Sequence, residues 1–597
     1  MNVCQRIAAF RAQMEKDGVA VVIVPTADSH ASEYIAEYFK TRQWLCGFTG
    51  SAGTLVIARD EAALFADGRY FIQAEKQLAG SGVALMKMGV AGVPEMEDYV
   101  LSLVKAGEKV GVDYACVSAD FARATAARLE KKGALLCDTG DYFAGLWADR
   151  PAMPDAKAFL LTDKQTGRST ADKLCAIRAA MEKEGAALHV NNVLDDIAWT
   201  LNVRGGDVLN TPVVMSYLSV SMEDAVWYVD EAKVSEEIRE ALFAAGVKVA
   251  PYGAIEAALK AVPAGTKVMV DPSKLTAKLT AALENAAIIA HENPAMRMKA
   301  IKNETELENL RNAHIKDGTA VARLMFWLKK NAGKVAMTEL SVSEYLYQLR
   351  AKEEGFISPS FNTICAYRAN AAMMHYSATE ESHAVIKPRD LLLIDSGGQY
   401  LEGTTDITRT FAMGEVTQEQ KMHFTAVLCG MLNLQNAKFL HGCSGIALDV
   451  LARGPMWDMG IDYRCGTGHG VGYLLGVHEG PNSFRWYKSP TRMENTVLEA
   501  GMVTTDEPGV YIEGSHGIRT ENELVCVKKE NNEYGQFMGF ETITYCPIDL
   551  DAVIPEQMTA RQKMWLNDYH AMVREKLMDR MESDEERAWL THATRAI

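Results

Sequence analysis

A five-residue pattern occurs twice in the first half of the chain, each time directly before a short apolar segment. Residues 14–18 (Met-Glu-Lys-Asp-Gly) precede the apolar segment 19–24, and residues 181–185 (Met-Glu-Lys-Glu-Gly) precede a second such segment. The apolar residues of segment 3–16 have helical spacing, and segment 19–24 is typical of a buried strand. The repeat therefore predicts two copies of one helix–strand unit, which start near residues 1 and 170.

The length of 597 residues allows about three or four domains. We predict an α/β (α+β) chain of three domains followed by a tail. The predicted ranges are an N-terminal α/β domain at 1–160, a second α/β domain at 161–300, a strand-rich and glycine-rich domain at 301–545 and a helical extension at 546–597. Asn303, with Glu306 three residues later, predicts the start of a helix at the beginning of the third domain.

The predicted C-terminal helix carries an apolar face. Trp565, Tyr569, Met572 and Val573 share this face, and charged residues surround them. An amphipathic face of this kind needs a partner surface. The partner is either the body of the same chain or a second subunit.

Charge and composition exclude several kinds of partner. The net charge of -16 disfavours nucleic acids and anionic membranes, because phosphate-rich surfaces require a basic footprint. No segment approaches the ~20 apolar residues of a membrane helix, and the N-terminus lacks a signal-peptide pattern. The eleven cysteines form no CxxC pair, which is typical of free thiols in a reducing compartment. We therefore expect a cytoplasmic protein without nucleic-acid or membrane partners.

Five side chains between residues 395 and 521 are candidates for chemistry: Asp395, Asp406, His469, Glu507 and Glu521. Asp395 ends an apolar run, and a carboxylate there is costly unless it is paired or binds a metal. Glycines surround His469 and allow close backbone approach. Taken singly, each of the five also has an ordinary interpretation as a turn, loop or surface residue, so spacing alone does not unite them.

The segments around these residues resemble the metal-site motifs of the pita-bread metallopeptidases, the creatinase, prolidase and methionine aminopeptidase-like family. The similar segments are 394–397 (Ile-Asp-Ser-Gly), 403–409 (Gly-Thr-Thr-Asp-Ile-Thr-Arg), 466–472 (Gly-Thr-Gly-His-Gly-Val-Gly), 477–481 (Val-His-Glu-Gly-Pro), 506–509 (Asp-Glu-Pro-Gly) and 517–522 (Gly-Ile-Arg-Thr-Glu-Asn). Segments 46–53, 67–71 and 197–205 extend the similarity upstream, where it is strongest to long, three-domain Xaa-Pro aminopeptidases. The resemblance implies two creatinase-N-terminal-like α/β domains followed by a pita-bread catalytic domain with a curved antiparallel sheet.

The resemblance also implies that the five residues bind two divalent metal ions, with Asp406 and Glu521 bridging them. Four carboxylates and one imidazole form an oxygen-rich site that suits Mn²⁺, with Co²⁺, Fe²⁺ and Zn²⁺ as alternatives. A metal-bridging hydroxide would then attack the carbonyl of the first residue. The implied activity is hydrolysis of the bond between an N-terminal residue and a penultimate proline, so the implied partners are peptides with proline at the second position.

Further roles follow from the same resemblance. His375 and His478 occupy motif positions at which family histidines contact substrate and stabilise the oxyanion. Glu507 would also transfer a proton to the leaving amine, and Arg519 would hold a ligand carboxylate. Two departures from the family pattern stand out: Cys465 occupies a position where a histidine is common, and segment 366–371 (Ala-Tyr-Arg-Ala-Asn-Ala) replaces an expected Gly-Pro-Asn-Gly type of turn.

Three alternatives differ in testable ways. Prolidase shares the metal chemistry but acts on dipeptides, and the extra N-terminal residues favour the aminopeptidase. A non-catalytic binding module and a metal-free creatine-type hydrolase are disfavoured, since all five ligand positions are filled.

Three points stay open beside the activity. Cys465 either changes the substrate preference or is a reactive thiol. His516 is assigned no role. A homodimer is expected from the resemblance, with contacts through the catalytic domain and the tail.

Overall fold

The computed structural model describes residues 1–488 and 495–597. The chain divides into two compact units, of which the first comprises Met1–Thr162 and Arg168–Ala295 and the second Asp163–Gly167 and Met296–Ile597. The four predicted domain ranges stay a prediction. Among the described residues, no helix is both long enough and apolar enough to cross a membrane. Helices and strands are numbered in chain order, so that α7 belongs to the second unit.

The first repeat of the first unit is a mixed sheet flanked by helices. Its strands are β1 (Val19–Pro25), β2 (Thr54–Ala58), β3 (Ala62–Ala66), β4 (Ala84–Lys87), β5 (Lys109–Val112) and β6 (Leu135–Asp138). Its helices are α1 (Val3–Asp17), α2 (Thr41–Cys46), α3 (Phe71–Leu78), α4 (Met96–Leu103), α5 (Ala119–Glu130) and α6 (Phe143–Leu146). The strand order is β4-β3-β2-β1-β5-β6.

The second repeat has the same construction. Its sheet contains β8 (Leu188–Asn191), β10 (Ser216–Ser221), β11 (Ala225–Val229), β12 (Val247–Pro251), β13 (Lys267–Val270) and β14 (Ala287–Ala290). Its helices are α8 (Thr170–Glu184), α9 (Leu194–Leu201), α10 (Glu236–Ala244), α11 (Ile255–Lys260) and α12 (Ala277–Ala282). Two short antiparallel strands, β7 (Phe159–Leu160) and β9 (Val203–Arg204), form a separate two-stranded sheet.

The two sheets confirm the predicted duplication. The second sheet has the order β12-β11-β10-β8-β13-β14, and each of its pairs has the same sense as the corresponding pair of the first sheet. Helices α1 and α8 both end at a glycine, Gly18 or Gly185, with φ of 66° and 68°. Glycine adopts this left-handed conformation without a steric penalty, and the chain then enters β1 or β8.

The second unit combines long helices with antiparallel strands. Its helices are α7 (Asp163–Thr166), α14 (Glu304–Asn331), α15 (Glu339–Arg350), α16 (Gln418–Gln435), α17 (Gly445–Trp457), α18 (Ala560–Leu577) and α19 (Asp584–Ala593), and α13 (Pro294–Ala300) leads into it. Its strands are β15 (Met337–Thr338), β16 (Phe356–Pro359), β17 (Ile364–Tyr367), β18 (Val385–Ile386), β19 (Leu391–Ser396), β20 (Gly398–Tyr400), β21 (Gly403–Thr404), β22 (Ile407–Ala412), β23 (Lys438–Leu440), β24 (Gly468–Gly470), β25 (Glu479–Phe484), β26 (Val503–Asp506), β27 (Gly509–Ile512), β28 (His516–Arg519), β29 (Asn522–Asn532) and β30 (Gly535–Thr542).

Two antiparallel sheets of this unit provide the frame of the site. One has the order β17-β19-β22 and the other β23-β30-β29-β26-β24-β25. Helix α14 begins with a capping box in which Asn303 and Glu306 exchange side-chain and backbone hydrogen bonds, as their spacing predicts. Burial of apolar strand residues such as Leu392 and Ile394 against α14 and α15 fixes one of these sheets.

The apolar face of the tail helix packs on its own chain. Tyr569 and Val573 of α18 are buried in one cluster with Phe424 of α16, while Trp565 and Met572 pack at the border of that cluster. The hydroxyl of Tyr569 also accepts a hydrogen bond of 2.8 Å from Arg409. Between the two partner surfaces that the sequence left open, the structure therefore selects the body of the same chain.

Candidate metal and active site

The five predicted ligand residues lie at or near the ends of neighbouring strands. Asp395 is in β19 and His469 in β24, whereas Asp406, Glu507 and Glu521 lie in the short connections before β22, after β26 and before β29. Backbone hydrogen bonds join these connections. Glu521 N–H donates to Thr408 C=O over 3.1 Å, and Glu507 N–H donates to Thr467 C=O over 2.8 Å. The strand pairing thus collects side chains that are far apart in the sequence.

Three of the five side chains already have the spacing of a metal site. One ligand atom each of Asp406, His469 and Glu521 lies within 4.8 Å of the others. His469 Nε2 is 3.6 Å from Asp406 Oδ2 and 3.5 Å from Glu507 Oε1. His469 Nδ1 is 2.9 Å from the carbonyl oxygen of Gly470. Since a carbonyl only accepts, Nδ1 carries the proton and Nε2 is the atom directed at the carboxylates, as in an imidazole ligand.

The carboxylates repel one another in a buried place. Burial and the charges of Glu521 and Asp395 raise the pKa of Asp406 well above its usual range. Burial and the charge of Glu507 do the same to the pKa of Glu521. Burial raises the pKa of Glu507 to about 7, although Arg519 opposes this shift. Each raised pKa means that, without a bound cation, the folded protein disfavours the charged form of that carboxyl group.

The same carboxylates keep oxygen atoms without hydrogen-bond partners. Asp395 Oδ1, Asp406 Oδ1 and Glu521 Oε1 are buried, and none has a partner among the described residues. A buried, unsatisfied carboxylate oxygen is unfavourable unless a cation is bound to it. Hard divalent cations prefer carboxylate oxygens together with imidazole. The donor set of Asp395, Asp406, His469, Glu507 and Glu521 therefore fits two such cations.

Arg519 lies among the five predicted ligand residues. Its Nη2 donates to Asp395 Oδ2, its Nη1 donates to the Tyr511 hydroxyl over 2.6 Å, and its Nε is 3.9 Å from Glu507 Oε2. Thr408 Oγ1 donates to Glu521 Oε2 over 2.7 Å. Contacts of this kind fix the orientation of a ligand carboxylate and leave its other oxygen for the metal.

The structure supports the predicted position of one of the two substrate histidines, His478, and leaves the role of His375 as a prediction. The ring of His478 lies 4.2 Å from that of His469, at an angle of 79°, so the structure brings His478 to the ligand cluster. His375 is half-buried in the turn after the 3₁₀ helix Arg368–Ala372, and its contact with substrate stays a prediction. Segment 366–371, where the family turn was expected, contains the end of β17 and most of this 3₁₀ helix. Its close approach to β28 requires glycine at Gly517, because a Cβ there would lie 1.8 Å from the Ala371 carbonyl oxygen.

The structure also describes the surroundings of Cys465 and His516, two residues whose roles the sequence left open. Burial and the charge of Glu507 raise the pKa of the Cys465 thiol to about 11, so this thiol is protonated near neutral pH and is a poor nucleophile. His516 Nε2 is 2.9 Å from His423 Nδ1, and His516 Nδ1 is 2.8 Å from Ser515 Oγ. The two imidazoles stack beside α16, which gives His516 a packing role.

Sequence reasoning missed two carboxylates that support the site. Lys299 Nζ is 2.7 Å from Glu479 Oε2, and Lys302 donates to Glu479 Oε1. This buried group fixes the start of β25, directly after His478. Glu523 Oε1 accepts from the backbone N–H of Asp406 over 2.8 Å. Glu479 and Glu523 stand in or beside quoted motifs, but only tertiary contacts distinguish them from surface residues.

Family profiles match the chain from end to end. The profile "Metallopeptidase family M24" matches residues 308–528, "C-terminal region of peptidase_M24" matches 536–597, and two "Creatinase/Prolidase N-terminal domain" profiles match 6–146 and 149–306. The chain is 36% identical over 633 residues to aminopeptidase P2 of Arabidopsis thaliana, with 99% of this chain and 88% of that protein covered. The chain belongs to metallopeptidase family M24.

Other comparisons agree with this M24 assignment. The chain is 38% identical to a probable Xaa-Pro aminopeptidase P of Aspergillus clavatus, with 100% of this chain and 93% of that protein covered. The crystal structure of X-prolyl aminopeptidase from Caenorhabditis elegans, described as a cytosolic enzyme with a di-nuclear active site, has a TM-score of 0.94 and 30% identity, with both chains fully covered. A Xaa-Pro dipeptidase from Bacillus anthracis has a TM-score of 0.51 over 65% of this chain and all of its own, at 24% identity, which shows the shared fold alone.

Proposed function

We propose that this M24 peptidase is a dinuclear-metal aminopeptidase that hydrolyses the bond between an N-terminal residue and a penultimate proline. The observation that carries the proposal is the buried carboxylate and imidazole cluster, which has oxygen atoms without hydrogen-bond partners among the described residues. Full-length similarity to Xaa-Pro aminopeptidases supports the substrate class. Proline has no N–H and a fixed φ, so a peptidase that accepts it needs a dedicated pocket.

The chain's own residues divide the work around two bound cations. When bound, the cations polarise the scissile carbonyl and promote ionisation of the attacking water. Asp395, Asp406, His469, Glu507 and Glu521 would hold them. Arg519 keeps the Asp395 carboxylate in place. Glu507, whose Oε1 lies 3.5 Å from His469 Nε2, would also pass a proton from the attacking water to the leaving amine.

Two histidines would complete the site. His478 lies against the metal-ligating His469, so an N–H of its ring can point at the carbonyl oxygen of a bound peptide. Such a donor stabilises the negative charge that develops on that oxygen. His375 is proposed for the same task or for holding the substrate. Glu479, fixed by two buried lysines, keeps the segment of His478 in position.

The activity is tested with one pair of substrates. Metal-free protein is supplied with Mn²⁺, and release of arginine from Arg-Pro-Pro is compared with hydrolysis of Gly-Pro. Cleavage of the tripeptide, absent in Asp406→Ala, is the expected result. Cleavage of Gly-Pro alone would assign the chain to prolidases, and lack of cleavage with every metal tried would favour a binding module.

The metal is proposed to be Mn²⁺. Four carboxylates and one imidazole form a hard donor set, and the same set also admits Co²⁺, Fe²⁺ and Zn²⁺. Loading the metal-free protein with each ion in turn, followed by elemental analysis and kcat measurement, tests the choice. Two ions per chain are expected, with the highest kcat for Mn²⁺. One ion per chain at saturation would contradict the dinuclear site.

A cytoplasmic homodimer stays part of the proposal. The Caenorhabditis elegans relative is described as cytosolic, which supports the location, and fractionation of the source cells tests it. The tail helix buries its apolar face in its own chain, so a dimer must use other surfaces. Light scattering at working concentration is expected to give twice the chain mass of 65.6 kDa. A measured mass close to that of a single chain would contradict the homodimer.

A further inference from the structure

A cavity of about 750 Å³ lies inside the first unit, and both repeats contribute to its walls. The first repeat provides residues that follow the carboxyl ends of the parallel strands β1, β5 and β6, namely Ser29, Asp113 and Asp141. The second repeat provides Asp230 and Tyr252, which follow the carboxyl ends of the parallel strands β11 and β12. Ligands of open α/β sheets bind outside the carboxyl ends of such strands. The volume is within the range of small-molecule sites, about 300–1,000 Å³.

A chain of hydrogen bonds ends at this cavity. His30, which is fully buried, has Nδ1 at 2.9 Å from the Asn192 carbonyl oxygen and Nε2 at 2.9 Å from the Tyr252 hydroxyl. Burial lowers the pKa of His30, so its ring is neutral. Nδ1–H then donates to the carbonyl, and Nε2 accepts from Tyr252 O–H.

The direction of this chain continues to the next tyrosine. The hydroxyl oxygens of Tyr217 and Tyr252 are 3.2 Å apart. Since the proton of Tyr252 is used on His30, the Tyr252 oxygen accepts from Tyr217 O–H. The Tyr217 oxygen therefore acts as an acceptor: the Ser29 side chain also hydrogen-bonds to it, and its second lone pair is available to a ligand. This series of hydrogen bonds therefore presents an acceptor atom to the cavity, which favours a ligand that donates a hydrogen bond.

The charges around the cavity favour a cation as well. Its lining contains Arg150, Lys233 and Lys278, and each already has an acidic partner. Arg150 is 2.5 Å from Asp141, Lys233 is 2.5 Å from Asp207, and Lys278 is 3.5 Å from Glu256. Each cation of the lining thus has an acidic partner within the first unit, and Lys278 shares Glu256 with Lys260, which is 2.6 Å from it.

Among the described residues, Asp113 and Asp28 have no cationic partner. Within the described part of the chain, Asp113 of the lining accepts only from the backbone N–H of Ala115 at 2.9 Å and from the Cys116 thiol at 3.7 Å. Asp28 is 1% exposed, and its Oδ2 has no hydrogen-bond partner in the described part of the chain. Asp28 lies between Ala27 and Ser29, which both line the cavity. A buried carboxylate of this kind is stabilised by a cation.

We propose that this cavity binds a small organic amine, in its ammonium form and with an apolar body. The ammonium group would donate to Asp113 and to the Tyr217 oxygen, with which it forms charge-assisted hydrogen bonds. The rings of Tyr217 and Tyr252, whose centroids are 5.0 Å apart, offer π faces to the cation. Apolar wall residues such as Val24, Met215 and Leu279 would contact the body of the ligand.

The proposal is tested by calorimetry on the metal-loaded, full-length protein with three phenyl-bearing probes of similar size. Phenethylammonium carries the charge, phenethyl alcohol is neutral and 3-phenylpropionate is anionic. The ammonium is expected to bind at least about tenfold more tightly than either analogue. No binding at about 10 mM, or equal affinity for the neutral alcohol, would overturn the ammonium site.

Variants locate the binding. Asp113→Asn and Tyr217→Phe should each weaken phenethylammonium binding by about tenfold or more, while hydrolysis of Arg-Pro-Pro stays at the wild-type rate. The matched control is Asp98→Asn, which neutralises an exposed carboxylate of the same repeat and should bind like wild type. Unchanged binding in both cavity variants would place the ammonium elsewhere and refute the proposal. Tyr217→Phe removes only a hydroxyl, so it remains informative if Asp113→Asn fails to fold.

Discussion

Two groups of buried carboxylates in the second unit have opposite surroundings. Asp317 is fully buried, yet Arg350 donates two hydrogen bonds of 2.5 and 2.9 Å to it and Tyr400 a third of 2.8 Å. Asp406 and Glu521 are also buried, but their nearest charges include other carboxylates. The first group is satisfied without any ligand, whereas the second keeps oxygen atoms without hydrogen-bond partners among the described residues, which the proposed cations would satisfy. Burial by itself therefore does not indicate a metal site; like-charged neighbours and unsatisfied oxygen atoms do.

The largest expected effect tests the unsatisfied group. Asp406→Ala removes a proposed bridging ligand, so the kcat for Arg-Pro-Pro should fall at least about 10³-fold, and elemental analysis should find fewer than two ions per chain. Metal-free Asp406→Ala should unfold at a temperature no lower than that of metal-free wild type, because a repelled carboxylate is gone. Full metal content with full activity would contradict the ligand role.

Replacing Asp317, the paired carboxylate, should lower the stability of the protein and leave its metal content unchanged. Asp317→Asn leaves the Arg350 charge buried without its partner, at a cost of about 3–5 kcal/mol in the free energy of unfolding. Metal stoichiometry of the folded fraction should remain at two. Chemical denaturation and elemental analysis measure the two quantities. Loss of metal without loss of stability would remove the distinction between the two groups.

Glu507 should contribute more stability to the metal-free protein in acid than at neutral pH. The pKa of Glu507 is about 7 in the folded chain, above its ordinary value near 4.5. A raised carboxyl pKa means that the folded state binds the extra proton. The contribution is present below about pH 4.5 and is lost as the pH rises through 7, by roughly 2 kcal/mol between pH 5 and pH 7.

The pH dependence is measured by urea denaturation of the metal-free protein. Glu507→Gln, which has no proton to exchange, is the matched control and should lack this part of the dependence. Equal pH dependence of the two proteins would show that Glu507 keeps an ordinary pKa.

Arg519 should have an intermediate effect. Arg519→Lys keeps a positive charge but loses the fork that contacts Asp395 and Tyr511 together. Loss of such a supporting contact typically costs about 10–100-fold in metal affinity or activity. Titration of the metal-free variant with Mn²⁺ measures the affinity. If the affinity stays at the wild-type level, Arg519 does not position a ligand.

The smallest effect is expected at Cys465. Its thiol is held protonated by burial, so Cys465→Ser should change kcat/KM by less than about twofold. Iodoacetamide should label this residue slowly at neutral pH. A large loss of activity in the serine variant, or rapid labelling, would identify a reactive thiol.

Several features were predictable because they repeat a local rule. The apolar run before Asp395 predicted a buried strand, which is β19, and the spacing of Asn303 and Glu306 predicted the cap of α14. The pentapeptide repeat predicted the duplicated units, which the matching strand orders confirm. The five ligand positions came from resemblance to family motifs rather than from spacing, since each residue alone has an ordinary interpretation.

The sequence by itself determined several local features, such as the α1–β1 unit, its repeat and the start of α14, because caps, glycines and apolar periodicity act over a few residues. Only the tertiary structure decided which buried charges are paired. Lys299, Lys302 and Glu479 form one group across about 180 residues, and no local pattern announces it. The tertiary structure likewise buried the tail's apolar face in its own chain. Desolvation and charge pairing depend on what lies within a few ångströms in space, and in a long chain that neighbourhood is set by the packing of distant segments.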